Sequence, residues 1–146
     1  MSSEESCRKF QKELNAGAVS LVLLSLLHKQ GEAMYGYEIA KHLESLAEGD
    51  LPMNEGAIYP TLRSLEKQGL LRSRTIASEA GPPRRYYQIT AAGKHALSEW
   101  TSAWQYTTRF VNSVLELNDA QITATAGGKL SRTARTKPET EMRSRS

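Results

Sequence analysis

The chain has 146 residues, of which 39% are hydrophobic, and its formal net charge is +3. This length and composition predict one globular domain with tails. The longest apolar run, residues 18–27, is shorter than the roughly 18 residues that a membrane span needs, and the acidic amino terminus lacks a signal-peptide pattern. The composition therefore excludes a transmembrane protein, and we expect a cytoplasmic one.

Residues that could carry catalysis or bind a metal are scattered along the chain. The single cysteine, Cys7, provides no disulfide framework, and the three histidines lack partners at metal-ligand spacing. No Ser/His/Asp or Cys/His set, no glycine-rich phosphate loop and no pair of carboxylates in a plausible cleft is present. We therefore predict no enzyme, no metal site and no cofactor.

The first predicted elements are a disordered leader at residues 1–9 and a helix over residues 10–30. The apolar positions in the second half of this helix nearly encircle it, as in a helix buried on more than one side. In so small a domain, this pattern indicates a partner subunit.

Two short amphipathic helices follow, joined by a turn at residues 48–52. The second spans residues 54–68, begins at a candidate cap, Asn54, and ends near Gly69. Ile58, Leu62 and Leu65 form its apolar stripe. The opposite face is small at its start and basic further along: it carries Gly56, Tyr59, Pro60, Arg63 and Lys67. The pair predicts a helix-turn-helix with its basic face toward a phosphate-rich groove, although a solvated basic face is the alternative.

Two extended segments at residues 70–76 and 84–90 predict a hairpin, because Gly81, Pro82 and Pro83 break the chain between them. Residues 54–90 hold six basic and three acidic side chains, whereas residues 1–53 hold five and eight. Helix-turn-helix and basic hairpin together predict a winged-helix domain over residues 10–90.

A long helix over residues 91–117, capped by Thr90, completes the predicted fold, which is mainly α with a small β-hairpin. Its apolar positions are spaced by threes and fours, as in a coiled coil. We call five of them the apolar seam and expect them to form a homodimer interface: Leu97, Trp100, Trp104, Val111 and Val114. Residues 118–146 are predicted to be a disordered basic tail that is dispensable for folding.

Four blocks resemble those of the PadR family of bacterial transcription regulators in order and spacing: YGYEIAKHL (residues 35–43), NEGAIYPTLRSLEKQGLL (54–71), GPPRRYYQIT (81–90) and AAGKHAL (91–97). The resemblance covers about residues 14–115. It implies a winged-helix homodimer that usually represses transcription, and the single long carboxy-terminal helix resembles the shorter subfamily.

The predicted function is that of a homodimeric repressor which binds double-stranded DNA at a palindromic operator. Its expected DNA-binding residues are Asn54, Gly56, Tyr59, Pro60, Arg63, Lys67, Arg84 and Arg85. A winged helix used only for protein interaction is the alternative, because fold alone does not fix function. Trp100 and Trp104 lie one turn apart and are expected to bind a small aromatic effector, unless they are simply packing residues.

Overall fold

The computed structural model describes residues 1–126, which are mostly helical with a small antiparallel sheet. The elements in chain order are α1 (Ser3–Gln30), β1 (Met34–Tyr35), α2 (Gly36–Leu46), a 3-10 turn (Glu55–Ala57), α3 (Ile58–Lys67), β2 (Leu71–Ile76), β3 (Arg84–Ile89), α4 (Ala91–Leu115) and α5 (Asp119–Ala126). The chain divides into two compact units, Met1–Ala103 and Trp104–Ser146. The first unit therefore includes the first three turns of α4, beyond the predicted boundary at residue 90.

Helix α1 begins seven residues earlier than predicted, so most of the expected disordered leader is helical. The Ser2 hydroxyl accepts a hydrogen bond from the Glu5 amide at 3.0 Å, and the Glu5 carboxylate accepts one from the Ser2 amide at 2.8 Å. This reciprocal cap satisfies two amides that a helix start otherwise leaves without partners. Further along, Leu23, Leu24 and Leu27 are buried, and α1 packs against α3 and β3.

The predicted helix-turn-helix is formed by α2 and α3. Ile58, Leu62 and Leu65 are completely buried, which confirms the apolar stripe. Pro60 lies in the first turn of α3, where a missing amide proton breaks no helical hydrogen bond. Gly69 ends the helix with φ at 81°, a backbone angle that glycine adopts without strain.

The wing is a three-stranded antiparallel sheet with strand order β1-β3-β2. Met34 pairs with Tyr87, and β2 pairs with β3 from Leu71 opposite Ile89 to Ile76 opposite Arg84. Alternation places Tyr87 and Ile89 toward the core and Arg84 and Tyr86 on the outer face. The hairpin was predicted from the sequence, whereas the two-residue strand β1 was not.

Thr90 connects the end of α3 to the start of α4. Its hydroxyl donates to the Gly69 carbonyl at 2.7 Å and accepts from the Gly93 amide at 3.0 Å, which confirms the predicted cap. Helix α4 ends at Leu115, two residues before the predicted end.

Residues 119–126, predicted to belong to the disordered tail, form α5. The Asn118 and Gln121 side chains each accept a hydrogen bond from the other residue's amide, at 2.9 and 3.0 Å. This is again a capping box, so a helix starts in a segment that lacks an apolar stripe. The rest of the predicted tail, residues 127–146, lies outside the described residues.

Gly93 is predicted to be essential for stability, because a β-carbon there would overlap the Leu70 carbonyl oxygen and lie 2.7 Å from Ile89 Cγ1. We expect Gly93→Ala to lower the free energy of unfolding by about 1–3 kcal/mol, as overpacking does. Gly17 in α1 provides the matched control, since a β-carbon there would have no neighbour within 4 Å. Gly17→Ala should leave stability unchanged or raise it by up to about 1 kcal/mol. Urea unfolding of both variants tests this, and equal midpoints would contradict it.

Candidate nucleic-acid interface

The exposed side of α3 carries four of the predicted DNA-binding residues. Tyr59, Pro60, Arg63 and Lys67 are exposed, on the side of α3 opposite the buried stripe. The Tyr59 ring lies against the Gly36 backbone at the start of α2, where a β-carbon would overlap it. A larger residue at position 36 would displace this ring, so the start of α2 positions Tyr59.

Asn54 and Gly56 shape the 3-10 turn that precedes α3. The Asn54 side-chain oxygen accepts a hydrogen bond from the Gly56 amide at 2.8 Å, and both residues are exposed. Asn54 therefore has a structural role, as predicted for a cap. A second bond holds this region, because the Asn15 side-chain amide donates to the Pro52 carbonyl at 2.8 Å.

A groove of about 390 Å³ lies between α3, the start of α2 and the wing. Four predicted DNA-binding residues line it: Tyr59, Arg63, Arg84 and Arg85. The other four, Asn54, Gly56, Pro60 and Lys67, do not line this groove. Tyr35 and Tyr37 also line it and were missed as site residues, although both belong to the YGYEIA block.

Arg84 projects from the outer face of the sheet and stacks on an aromatic side chain. Its guanidinium carbon lies 4.5 Å from the centre of the Tyr35 ring, and that ring lies 5.3 Å from the Tyr86 ring. Cation–π contact holds an arginine in place without neutralising its charge. Arg84 is thus a positioned cation at the groove, with no carboxylate partner in the part of the chain that the structure describes.

Arg85, on the opposite face of β3, is engaged within the protein. Its Nε donates to the Ser73 hydroxyl at 3.0 Å, and a terminal guanidinium nitrogen lies 3.8 Å from a Glu66 carboxylate oxygen. Burial raises the pKa of the neighbouring Tyr87 hydroxyl; the charge of Glu66 adds to this shift, and Arg85 and Arg63 oppose it. The charges of Glu66, Arg85 and Arg63 therefore all act on the Tyr87 hydroxyl.

A carboxylate pair lies near the start of α3. A hydrogen bond with Glu44 is the main cause that raises the pKa of Glu55, and the charge of Glu44 adds to it. Lys41 also lies 3.5 Å from Glu44, and the charge of Glu44 raises the pKa of this lysine. Negative charge on Glu44 and Glu55 would repel DNA. The positively charged part of the exposed α3 surface is therefore the part around Arg63, not the part around Glu55.

The apolar seam is divided between two environments. Leu97 and Trp100 are partly buried and pack against the core, so they have packing partners within their own chain. Trp104, Val111 and Val114 are 45–50% exposed. Their neighbours Phe110 and Leu115 are exposed too. The uncovered apolar surface therefore lies in the second half of α4.

Other kinds of site find no support within residues 1–126. No group of three or more His, Cys, Asp or Glu side chains there has an arrangement that could hold a metal ion. Cys7 is exposed and free. Over the same range, every helix is too short or too polar to cross a membrane.

Similarity to known proteins follows the same blocks. Residues 23–99 match the family described as "Transcriptional regulator PadR-like family". A crystal structure of a PadR family transcriptional regulator from Eggerthella lenta is similar with a TM-score of 0.66 and 31% identity, covering 79% of this chain and 96% of that one.

Two proteins with similar sequences are also relatives. The transcriptional regulator YqjI of Escherichia coli is 34% identical over 89 residues, which are 61% of this chain and 40% of YqjI. An uncharacterised protein of Lysinibacillus sphaericus is 28% identical over 97 residues, which are 66% of this chain and 86% of that protein. Because the family match covers more than half of the chain and includes α2, α3 and the whole wing, the protein belongs to the PadR-like family of winged helix-turn-helix transcriptional regulators.

Proposed function

We propose that this PadR-like regulator, of the family's shorter subfamily, is a homodimeric repressor that binds a palindromic operator through residues 54–68 and the wing at residues 70–90. The observation that carries the proposal is the groove in which Arg63 of α3 and Arg84 of β3 lie together. A helix and a wing that share one cationic groove fit a duplex, whose phosphates line both sides of each groove.

The residues of the 3-10 turn and of α3, which we call the recognition helix, divide by length. Gly56 and Pro60 are small, so the first turn approaches base edges closely, whereas Tyr59 and Arg63 reach base edges or phosphates and Lys67 reaches a phosphate. Arg84, held by Tyr35 at the wing, binds a phosphate or enters the minor groove. Such an interface acts where chromosomal DNA lies, so we place the protein in the cytoplasm.

A second copy covers the apolar surface of α4 in this proposal. The second half of α4 exposes Phe110, Val111 and Val114, and the first half of α1 exposes Phe10 and Leu14. Exposed apolar side chains of this kind are typical of an interface. A two-fold dimer would present two identical α3 helices to half-sites about one helical turn, roughly 34 Å, or more apart.

Genome-wide mapping of bound DNA tests the proposed function and provides the operator. We expect a small set of palindromic sites near promoters, and raised transcription of the adjacent genes when the regulator is deleted. The alternative, a winged helix used only for protein interaction, predicts no enriched sites and no affinity for duplex DNA. Lowered transcription on deletion would contradict the repressor role alone.

We also propose that a small aromatic or planar molecule acts near Trp104 and changes operator affinity. Trp104 is 45% exposed, and it follows Trp100 by one helical turn. A flat ligand at a subunit interface favours one dimer arrangement over another and so alters the spacing of the two recognition helices.

Titration with phenolic acids and planar dyes tests this effector proposal, with tryptophan emission and operator release followed together. Saturable quenching and release are both expected for the native protein and for Trp100→Phe, and both should be lost in Trp104→Phe. If quenching occurs without a change in DNA affinity, or if no compound quenches saturably, both tryptophans are packing residues only.

A further inference from the structure

One carboxylate of the recognition helix is bonded to both long strands of the wing. The Ser73 hydroxyl of β2 donates to Glu66 Oε2 at 2.7 Å and accepts from Arg85 Nε of β3 at 3.0 Å. The second Glu66 oxygen, Oε1, lies 3.8 Å from an Arg85 guanidinium nitrogen. Glu66, Ser73 and Arg85 thus close a ring of contacts, which we call the clasp.

The clasp satisfies its members more fully than an ordinary surface ion pair does. The single Ser73 hydroxyl both donates and accepts, so its one donor and one of its two acceptor positions are used. The Glu66 side chain is 30% exposed, whereas the other ion pairs among the described residues have both side chains more than 40% exposed. Partial burial and charge-assisted hydrogen bonds make such a contact stronger than a solvated pair.

The clasp lies next to the residues of α3 that are proposed to contact DNA. Glu66 follows Arg63 by one turn and precedes Lys67, so it joins α3 to the wing beside the cations that face the DNA. If Arg85 instead moved to a phosphate, Glu66 would remain as an uncompensated negative charge next to that phosphate. That rearrangement is costly, because the partner left behind is partly buried and charged.

We propose that Glu66 is a positioning residue which, through Ser73 and Arg85, fixes the recognition helix and the wing in one DNA-binding arrangement, and that Arg85 supports affinity through the clasp rather than by contact with a phosphate. The inference rests on the proposed DNA-binding function. A helix and wing that are already held together lose less conformational freedom when they bind, and this preorganisation raises affinity.

The direction in which Glu66→Gln changes operator affinity distinguishes the clasp from the alternative, in which Arg85 contacts a phosphate. Removing a negative charge near DNA should by itself strengthen binding, and it should do so further if it frees Arg85 for a phosphate. The clasp predicts the opposite: Glu66→Gln and Arg85→Gln each lower operator affinity about tenfold, and the double variant lowers it by no more than either single change.

Salt dependence provides the second readout. If Arg85 does not touch a phosphate, the dependence of log affinity on log salt keeps its slope in Arg85→Gln, whereas a lost phosphate contact lowers the slope by about one unit. Lys9→Gln is the control for loss of one positive charge, because Lys9 lies in the first turns of α1 in an exposed pair with Glu13. A lower slope in Arg85→Gln but not in Lys9→Gln, or tighter binding by Glu66→Gln, would overturn the proposal.

The reversed pair, Glu66→Arg with Arg85→Glu, tests positioning by rescue. We expect it to recover most of the affinity that either change alone removes, whereas a phosphate contact by Arg85 would not be restored by a glutamate. Hydrogen exchange of the β2 and β3 amides, measured without DNA, should accelerate in Glu66→Gln. Unchanged exchange would refute the clasp, while failure of the native protein to bind any operator would instead refute the proposed function.

Discussion

Replacing Arg63 and Arg84 together by alanine is expected to weaken specific DNA binding strongly while leaving the protein folded. Each arginine that touches a base edge or a phosphate contributes about 1–3 kcal/mol, so the pair accounts for roughly 30-fold to 10⁴-fold in affinity. Both side chains are exposed, and neither contributes to the core, so the melting temperature should change little. Fluorescence anisotropy with a labelled operator, repeated across a salt series, measures both affinity and slope.

The matched control for this pair is Lys9→Ala with Lys29→Ala, which removes two positive charges from exposed positions of α1. A uniform electrostatic contribution would weaken binding equally in both double variants. Specific contact predicts a large loss and a lower salt slope only for the arginine variant. Unchanged affinity and slope after loss of Arg63 and Arg84, even with Arg85 also replaced by alanine, would refute the assigned interface.

Val111→Glu is expected to convert the proposed dimer into a monomer and to weaken operator binding with it. In a two-fold interface each subunit contributes one substituted residue. An unpaired carboxylate in an apolar interface costs several kcal/mol of association free energy. The dimer dissociation constant should therefore rise by at least about 100-fold. Operator affinity should fall as well, because a monomer holds only one half-site. Sedimentation at micromolar concentration measures the first effect, and anisotropy measures the second.

Gln105→Glu is the control for this change, since position 105 is an exposed polar site on the same helix. It adds the same charge without placing it among the exposed apolar side chains, so the control should stay dimeric. If the native protein sediments as a monomer at micromolar concentration, or if Val111→Glu stays dimeric, the second half of α4 is not the dimer interface.

The elements of this fold that have a clear local pattern could be predicted from the sequence. The stripe of Ile58, Leu62 and Leu65 and the break at residues 81–83 depend on local chemistry, so α3 and the hairpin were predicted with small errors at their ends. The start of α1 and the whole of α5 were missed, although each begins with a capping box. Those segments lack an apolar stripe, so only their caps indicate a helix.

The contacts of the wing arginines could not have been predicted from spacing. Alternation along β3 places Arg84 and Arg85 on opposite faces, but only the folded chain brings Glu66 to one of them and the Tyr35 ring to the other. The same limit applies to the apolar seam. Its period marks one side of α4, while the division between Trp100, which packs on the core, and Trp104, which is exposed, depends on where that core ends.

The hydroxyl of Thr90 restricts which sequences can keep this arrangement of helices. It donates to the Gly69 carbonyl just after α3 and accepts from the Gly93 amide in the first turn of α4. One oxygen atom must therefore serve in both roles. Serine is the other residue of similar size that can do so. Relatives that keep the same approach of α4 to Leu70 should therefore carry threonine or serine at this position with glycine three residues later, and the two positions should vary together.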